Sequence, residues 1–299
     1  MTSDDHREAG QIEYNDAERV VDTQAHTGEG PLWHPEEEQL YWVDIPAGRL
    51  YAYDPVTDEN AVVYETNGAP IGGYTIEADG ALALFTHGRI ERFVPGTAGT
   101  EVVHEIDADT RFNDVIADPE GRVFAGTMPG PDALGELYRI DPDGSTRVVV
   151  DGLDIPNGMG FSRDRGTFYL TESEARAIYA FEYDRATGRI SDRRTFRETP
   201  EGDGVPDGLT VDDEDHVWSA RWNGDRVARY TPAGEPVEAV ELPARKVASV
   251  TFGGPDAADL YCTTALTDGD REVEGDGAGA LFRIPDVGGG VPEFRSRIA

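Results

Sequence analysis

The stretch LWHPEEEQLYWVDIPAGRLYAYDP, residues 32–55, contains two short apolar segments, and a polar turn precedes each of them. The first segment, Leu40–Val43, follows the turn HPEEEQ, and the second, within RLYAYDP, follows a link that contains proline and glycine. Short apolar runs bounded by such turn residues are typical of strands joined in hairpins. The stretch therefore predicts two neighbouring antiparallel strands.

An apolar strand core that follows such a turn occurs six times along the chain. The apolar strand cores are centred, in chain order, at Tyr41, Ala83, Phe124, Tyr169, Trp218 and Tyr261, with spacings of 42, 41, 45, 49 and 43 residues. Repeats of this length are typical of four-stranded propeller blades. We therefore predict an all-β fold, a six-bladed β-propeller that forms one domain over residues 1–299, with blades over about residues 20–285 and frayed polar tails. Tandem small β-domains are the alternative, but no linker of distinct composition separates the repeats.

The charge is strongly negative. Lysine and arginine total 26 against 59 acids, the net charge is −33, and Lys246 is the only lysine. Such a surface repels nucleic acid and anionic membranes, so we expect neither as a partner. Molar salt shortens the Debye length to about 3 Å and screens this self-repulsion, so a high-salt cytoplasm is the expected setting. A generic acidic protein at ordinary salt is the alternative. The polar N-terminus and the absence of an 18-residue apolar run favour a soluble intracellular protein. The lone Cys262 is expected in a strand core.

One phase of the repeat collects polar side chains. Glu29 lies 12 residues before the centre of its strand core, and the residues 11 or 12 before the other centres are Gly72, Asn113, Asn157, Asp207 and Ser249. Residues at one phase of a propeller converge near its axis. Glu29, Asn157 and Asp207 supply two carboxylates and an amide oxygen, a set suited to Ca²⁺, Mg²⁺ or Mn²⁺ and compatible with Zn²⁺ or Fe²⁺. For each residue alone, local turn chemistry is the alternative.

Arg111 precedes Asn113 by two residues in DTRFNDV, so both side chains are expected to face the same cavity. A guanidinium there holds hydroxyl or carboxylate oxygens with a planar fork of donors. The alternative is a surface salt bridge in an acid-rich neighbourhood.

The sequence resembles the SMP-30/gluconolactonase family, the regucalcin-like sugar lactonases. The resemblance rests on GEGPLWHPEEEQLYWVDI, TRFNDVIADPEGRVFAGTM, LDIPNGMGFSRDRGTFYLTES, VPDGLTVDDEDHVWSARWNG and VASVTFGG. It implies that Glu29, Asn157 and Asp207 bind one divalent cation and that Arg111 and Asn113 contact a small-molecule sugar lactone. One departure bears on specificity: some members carry a substrate-contacting glutamate just after AGTM, where this chain has Met128-Pro129-Gly130-Pro131.

The expected function is divalent-metal-dependent hydrolysis of a sugar (aldono) lactone to the aldonic acid, of gluconolactonase, xylonolactonase or arabinonolactonase type, in oxidative sugar catabolism. Asp207, or a water that it orients, is the candidate proton acceptor. Two alternatives stay open: an arylesterase or organophosphate hydrolase on a metal-centred propeller, and a non-enzymatic calcium-binding propeller. The native ion, the lactone ring and the oligomeric state do not follow from the sequence.

Overall fold

The computed structural model describes residues 17–108 and 110–299, and within these ranges the chain forms 24 strands and one single-turn helix. The strands make six four-stranded antiparallel sheets arranged as blades around an axis. The prediction of a six-bladed β-propeller is confirmed. Residues 1–16, where a polar tail was predicted, lie outside the described residues, so the assignment of one domain to residues 1–299 stays a prediction.

The first strand, β1 (Glu18–Asp22), belongs to the last blade, and the blades then follow in chain order. Blade 1 contains β2 (Gly28–His34), β3 (Gln39–Asp44), β4 (Arg49–Asp54) and β5 (Glu59–Glu65). Blade 2 contains β6 (Gly73–Ile76), β7 (Leu82–Phe85), β8 (Arg89–Phe93) and β9 (Thr100–Glu105). Blade 3 contains β10 (Phe112–Ala117), β11 (Val123–Thr127), β12 (Gly135–Ile140) and β13 (Thr146–Leu153).

The second half of the ring repeats this arrangement. Blade 4 contains β14 (Pro156–Phe161), β15 (Thr167–Glu172), β16 (Ala177–Asp184) and β17 (Arg189–Glu198). Blade 5 contains β18 (Val205–Val211), β19 (Val217–Trp222), β20 (Arg226–Tyr230) and β21 (Pro236–Glu241). Blade 6 contains β22 (Val247–Gly253), β23 (Asp259–Thr264) and β24 (Ala280–Ile284), with the helix α1 (Arg271–Glu274) between its last two strands.

The ring is closed by both ends of the described chain. Strand β1 pairs antiparallel with β24, with Glu18 opposite Arg283, and so forms the outer edge of blade 6. The first strands of neighbouring blades contact each other in order around the axis, and β22 contacts β2. The first strand of each blade is therefore the innermost one. Each of these strands begins near the axis, where the polar residues at the shared phase were predicted to converge.

The C-terminal segment differs from the expected frayed tail. Residues beyond β24 cross one face of the ring, where the Ser296 amide donates to Ile76 O at 2.9 Å and the Arg297 amide donates to Gly121 O at 2.9 Å. Ser296 is fully buried, and its hydroxyl donates to Glu77 Oε1 at 2.6 Å. Glu77 is itself buried, and a buried carboxylate needs such donors, so this end of the chain is held in place.

The core lies between the blades. The second strand of every blade is buried on both faces, as its continuous apolar run predicts, and Trp42 and Trp218 are fully buried there. Cys262 is also fully buried, within the cluster between blades 5 and 6, as expected. Over residues 17–108 and 110–299 no helix is long or apolar enough to cross a bilayer.

Candidate metal and substrate site

A cavity of about 370 Å³ opens where the innermost strands of blades 1, 3, 4 and 5 begin. The five residues singled out from the sequence, Glu29, Arg111, Asn113, Asn157 and Asp207, all line it. Of the six positions at the shared phase, Gly72 and Ser249 do not line this cavity. A side chain at Gly72 would meet the Phe112 carbonyl oxygen at 1.9 Å, so blade 2 contributes only backbone at this level.

Each of the four polar phase positions in the cavity lies at an irregularity of strand pairing. The register shifts between Glu29 and Leu32 in β2, and β10, β14 and β18 have equivalent shifts that begin at Asn113, Pro156 and Pro206. Such bulges turn side chains out of the regular alternation and are frequent next to active sites. In blade 1 the bulge requires a φ of +52° at Gly30, a conformation that glycine adopts without steric cost. The GEG sequence thus explains how Glu29 is aimed into the cavity.

The two carboxylates of this set are buried close to other negative charge. Glu29 is 8% exposed and Asp207 is 5% exposed. Burial, and then the nearby Asp114 carboxylate, raise the pKa of Glu29 to about 8, although the Gly30 amide and Arg111 act in the opposite direction. Burial, and then Glu29 and Asp114, hold the pKa of Asp207 well above its usual range. Without a cation both groups therefore hold their protons more tightly than in water, because the surrounding protein compensates a negative charge here only in part.

The donor set fits a divalent cation. Asp207 Oδ1 is buried and has no hydrogen-bond partner, and an unpaired buried carboxylate oxygen is costly. A cation bound by Glu29, Asp207 and the Asn157 amide oxygen would remove that cost, and these are the hard oxygen ligands that Ca²⁺ and Mg²⁺ prefer. No cluster of three or more histidine, cysteine, aspartate or glutamate side chains that could hold a metal occurs in the described ranges. A site here consequently needs the amide as its third protein ligand.

Asn157 is held by a chain of hydrogen bonds between blades 4 and 5. Its Nδ2 donates to Ser173 Oγ at 3.1 Å, and Ser173 Oγ donates to the carbonyl oxygen of Pro206 at 2.8 Å. Pro206 immediately precedes Asp207, so one serine connects the two segments that carry these ligands. Because Nδ2 is used by Ser173, Asn157 Oδ1 is the amide atom available to the cavity.

Arg111 and Asn113 form a second hydrogen-bonded unit. Arg111 Nη1 donates to Phe112 O and to Asn113 Oδ1, both at 2.9 Å. Asn113 Nδ2 donates in turn to the carbonyl oxygen of Pro156 at 2.9 Å. The structure therefore gives Asn113 an orienting role toward Arg111, while Nε and Nη2 of Arg111 are left to bind oxygens of a ligand. Substrate contact by either residue stays a prediction.

The sequence profile of the SMP-30/Gluconolactonase/LRE-like region matches residues 27–266, the part of the chain that carries the whole cavity. The chain belongs to this family. It is 52% identical over 287 residues to the pentonolactonase XacC of Haloferax volcanii, a match that covers 94% of this chain and 98% of the relative. It is 34% identical over 291 residues to the regucalcin of Oryctolagus cuniculus, with 93% and 97% covered.

Solved structures agree on the fold. A calcium-binding protein, regucalcin, from Agrobacterium tumefaciens superposes with a TM-score of 0.87 over 96% of this chain and 100% of the other, at 23% sequence identity. A gluconolactonase from Xanthomonas campestris superposes with a TM-score of 0.73 over 90% and 89%, at 25% identity. The six-bladed architecture is thus that of the SMP-30/gluconolactonase propellers.

Several cavity residues of this family member could not be identified from the sequence. Ser173, which follows β15, and Trp222, the last residue of β19, both lie in segments that resemble the family, but nothing in those segments marks either one as a site residue. Trp222 also packs against Lys246, whose Nζ lies 5.9 Å from the ring centroid. Apolar side chains complete the wall and have only their hydrophobicity as a signal: Ile45, Met128, Ile155 and Val205.

Proposed function

We propose that the protein hydrolyses a sugar (aldono) lactone to the aldonic acid and uses one divalent cation. The proposal is based on one observation: two buried carboxylates, one with an unpartnered oxygen, line the same cavity as an asparagine amide and an arginine. The likeness to a protein named pentonolactonase over nearly the full length of both chains supports the lactone class and favours a five-carbon substrate.

Each polar residue has a task that follows from its contacts. Glu29, Asn157 and Asp207 would hold the cation, which when bound polarises a carbonyl and lowers the pKa of water. Asp207, or a water that it orients, is the proposed proton acceptor for the attacking water. Arg111 is oriented by Asn113 and the backbone, and it donates to hydroxyl groups of the sugar.

The apolar part of the wall favours a second candidate. Ile45, Met128, Ile155, Val205 and Trp222 give the cavity a hydrophobic side. This side can pack against the C–H face of a sugar ring, but it also suits an aromatic ester, so arylesterase or organophosphate hydrolase activity is the alternative. A calcium-binding propeller without catalysis is the non-enzymatic alternative.

The test is hydrolysis of four aldonolactones, xylono-, arabinono-, glucono- and galactonolactone, followed by pH indicator in molar KCl. Protein treated with EDTA is assayed before and after addition of Mg²⁺, Mn²⁺, Ca²⁺, Zn²⁺ or Fe²⁺, with phenyl acetate and a phosphotriester as comparison substrates. Turnover restored by a metal and highest on a pentonolactone is the expected result. Preference for the aromatic ester would favour the second candidate, and no hydrolysis of any substrate by folded protein would favour the binding propeller.

The proposed setting is oxidative sugar catabolism in a high-salt cytoplasm. A lactone of this class is the product of oxidation of an aldose at its anomeric carbon. The enzyme that supplies the substrate is therefore proposed to be a sugar dehydrogenase. The scattered acids and the net charge of −33 support the high-salt part of the proposal. Release of an acid as product fits a surface that repels anions.

A further inference from the structure

Ser173 occupies a fixed position between two blades. It directly follows β15, is 6% exposed, and lines the cavity. Its backbone amide donates to Ile155 O at 3.0 Å, and its carbonyl oxygen accepts from the Arg176 amide at 2.9 Å. The main chain on both sides of the serine is therefore held, and the hydroxyl is presented between Asn157 and Pro206.

The direction of the two hydroxyl hydrogen bonds follows from the chemistry of the groups. A carbonyl oxygen can only accept, so the single hydroxyl hydrogen of Ser173 is used in the 2.8 Å bond to Pro206 O. The hydroxyl oxygen can then only accept from Asn157, and the group that must face it is the NH₂ of the amide. The opposite amide orientation would place Asn157 Oδ1 against an oxygen with no hydrogen to give.

From this we propose that Ser173 is a positioning residue for the cation site: it selects the amide orientation in which Asn157 presents oxygen to the cavity. The inference rests on the proposed metal-dependent function. An amide NH₂ group cannot ligate a cation, so an Asn157 side chain free to take either orientation would be a ligand for only part of the time. The carbonyl that orients the hydroxyl belongs to Pro206, so the same serine also restrains the segment that carries Asp207.

A similar contact between blades 3 and 4 supports this role. There the carbonyl oxygen of Pro156, the residue before Asn157, accepts from Asn113 Nδ2 at 2.9 Å. The prolines that precede two of the proposed ligands are thus each held by a side chain from the neighbouring blade. Partners of this kind behind a metal ligand orient it, and their loss typically weakens metal binding about 10- to 100-fold.

The experiment is calorimetric titration of EDTA-treated protein with each of the five divalent ions, using wild type, Ser173→Ala, Ser173→Thr and Ser173→Cys. Ser173→Ala is expected to bind the preferred ion about 10- to 100-fold more weakly, with the thermal unfolding of the metal-free protein little changed. Ser173→Thr keeps the hydroxyl and is expected to bind close to wild type. Ser173→Cys puts a thiol of similar size, a weak donor and acceptor, in place of the hydroxyl, and its ion affinity is expected to lie between those of the alanine and threonine variants. This variant replaces Ser173→Ala in the test if the alanine variant does not fold.

Ser162→Ala is the matched control. Ser162 is in the same blade and is 8% exposed, and its hydroxyl donates to Asp164 Oδ1 at 2.7 Å and accepts from the Thr167 amide at 2.9 Å, but it does not line the cavity. Its loss is expected to leave ion affinity unchanged. Equal affinity of wild type and Ser173→Ala would overturn the role of Ser173 and leave the proposed function intact. Failure of folded wild type to bind any of the ions would overturn both.

Discussion

Replacement of Glu29 by glutamine tests the electrostatics of the site directly. In the metal-free protein the pKa of Glu29 is raised from 4.5 to about 8, chiefly by burial. The folded state therefore holds this proton more tightly than the unfolded state does, and folding stability falls as the pH rises between these two values. Each unit of pKa difference corresponds to about 1.4 kcal/mol. At pH 7 most of the range between the unfolded-state pKa and the folded-state pKa has been passed. Glu29 therefore lowers the free energy of unfolding at pH 7 by on the order of 3 kcal/mol, relative to low pH.

Glu29→Gln removes this penalty because the amide is neutral at every pH. The metal-free variant is expected to be more stable than wild type by up to about 3 kcal/mol at pH 7 and by less than about 1 kcal/mol at pH 5. The assay is urea unfolding of EDTA-treated protein at both pH values in molar KCl. Glu201→Gln, on an exposed turn, removes the same charge in solvent and is expected to change stability by no more than about 0.5 kcal/mol.

The gain in stability on adding the ion should then be larger for wild type than for the variant. Wild type at an ion concentration about 100 times its dissociation constant gains about 2.7 kcal/mol, whereas Glu29→Gln, which lacks one proposed ligand, gains much less and loses lactone hydrolysis. A metal-free variant that is less stable than wild type at pH 7, or a stability difference independent of pH, would refute the electrostatic reasoning. A variant that still gains stability from the ion as wild type does would refute Glu29 as a ligand.

Two further predictions concern the substrate and the surface. Arg111→Lys replaces a planar fork of five donors on three nitrogens by three donors on one nitrogen, so it cannot hold Phe112 O and Asn113 Oδ1 and also present a fork to a lactone. KM should rise about tenfold or more with ion affinity unchanged; steady-state kinetics and calorimetry check this, and an unchanged KM contradicts substrate binding by Arg111. Raising KCl from about 0.1 M to about 1 M shortens the Debye length from about 10 Å to about 3 Å, so the unfolding temperature of a chain with a net charge of −33 should rise. A flat or falling unfolding temperature over that range would contradict the high-salt setting.

The spacing of apolar strand cores was sufficient to predict the fold. Every predicted core, from Leu40–Val43 onward, lies in the second strand of a blade, because burial on both faces requires a continuous apolar run that is visible in the local sequence. The same period placed Glu29, Asn157 and Asp207 at one phase, and in the structure all three line one cavity. Residues at the same phase of the repeat lie at the same distance from the axis. The repeat therefore predicts which residues, far apart in the sequence, are close together in the structure.

The ends of the chain were decided by tertiary packing. The pairing of β1 with β24 joins segments more than 250 residues apart, and the repeat of apolar strand cores does not predict it. Ser296 is buried against blade 2, where its hydroxyl donates to the buried Glu77. Both contacts form only when the ring is closed. From the sequence alone, the two ends of the chain were therefore predicted to be polar tails.

The chemistry of the site divides in the same way. The sequence by itself determined which residue types stand at the shared phase, and the proposed cation ligands are chosen from those residues. Only the tertiary structure decided that Asn157 donates to Ser173, that Trp222 and four other apolar side chains complete the wall of the cavity, and that Glu29 has its pKa raised to about 8. Desolvation and hydrogen-bond direction depend on atoms from several blades at once, and such arrangements leave no signature in the order of residues along one strand.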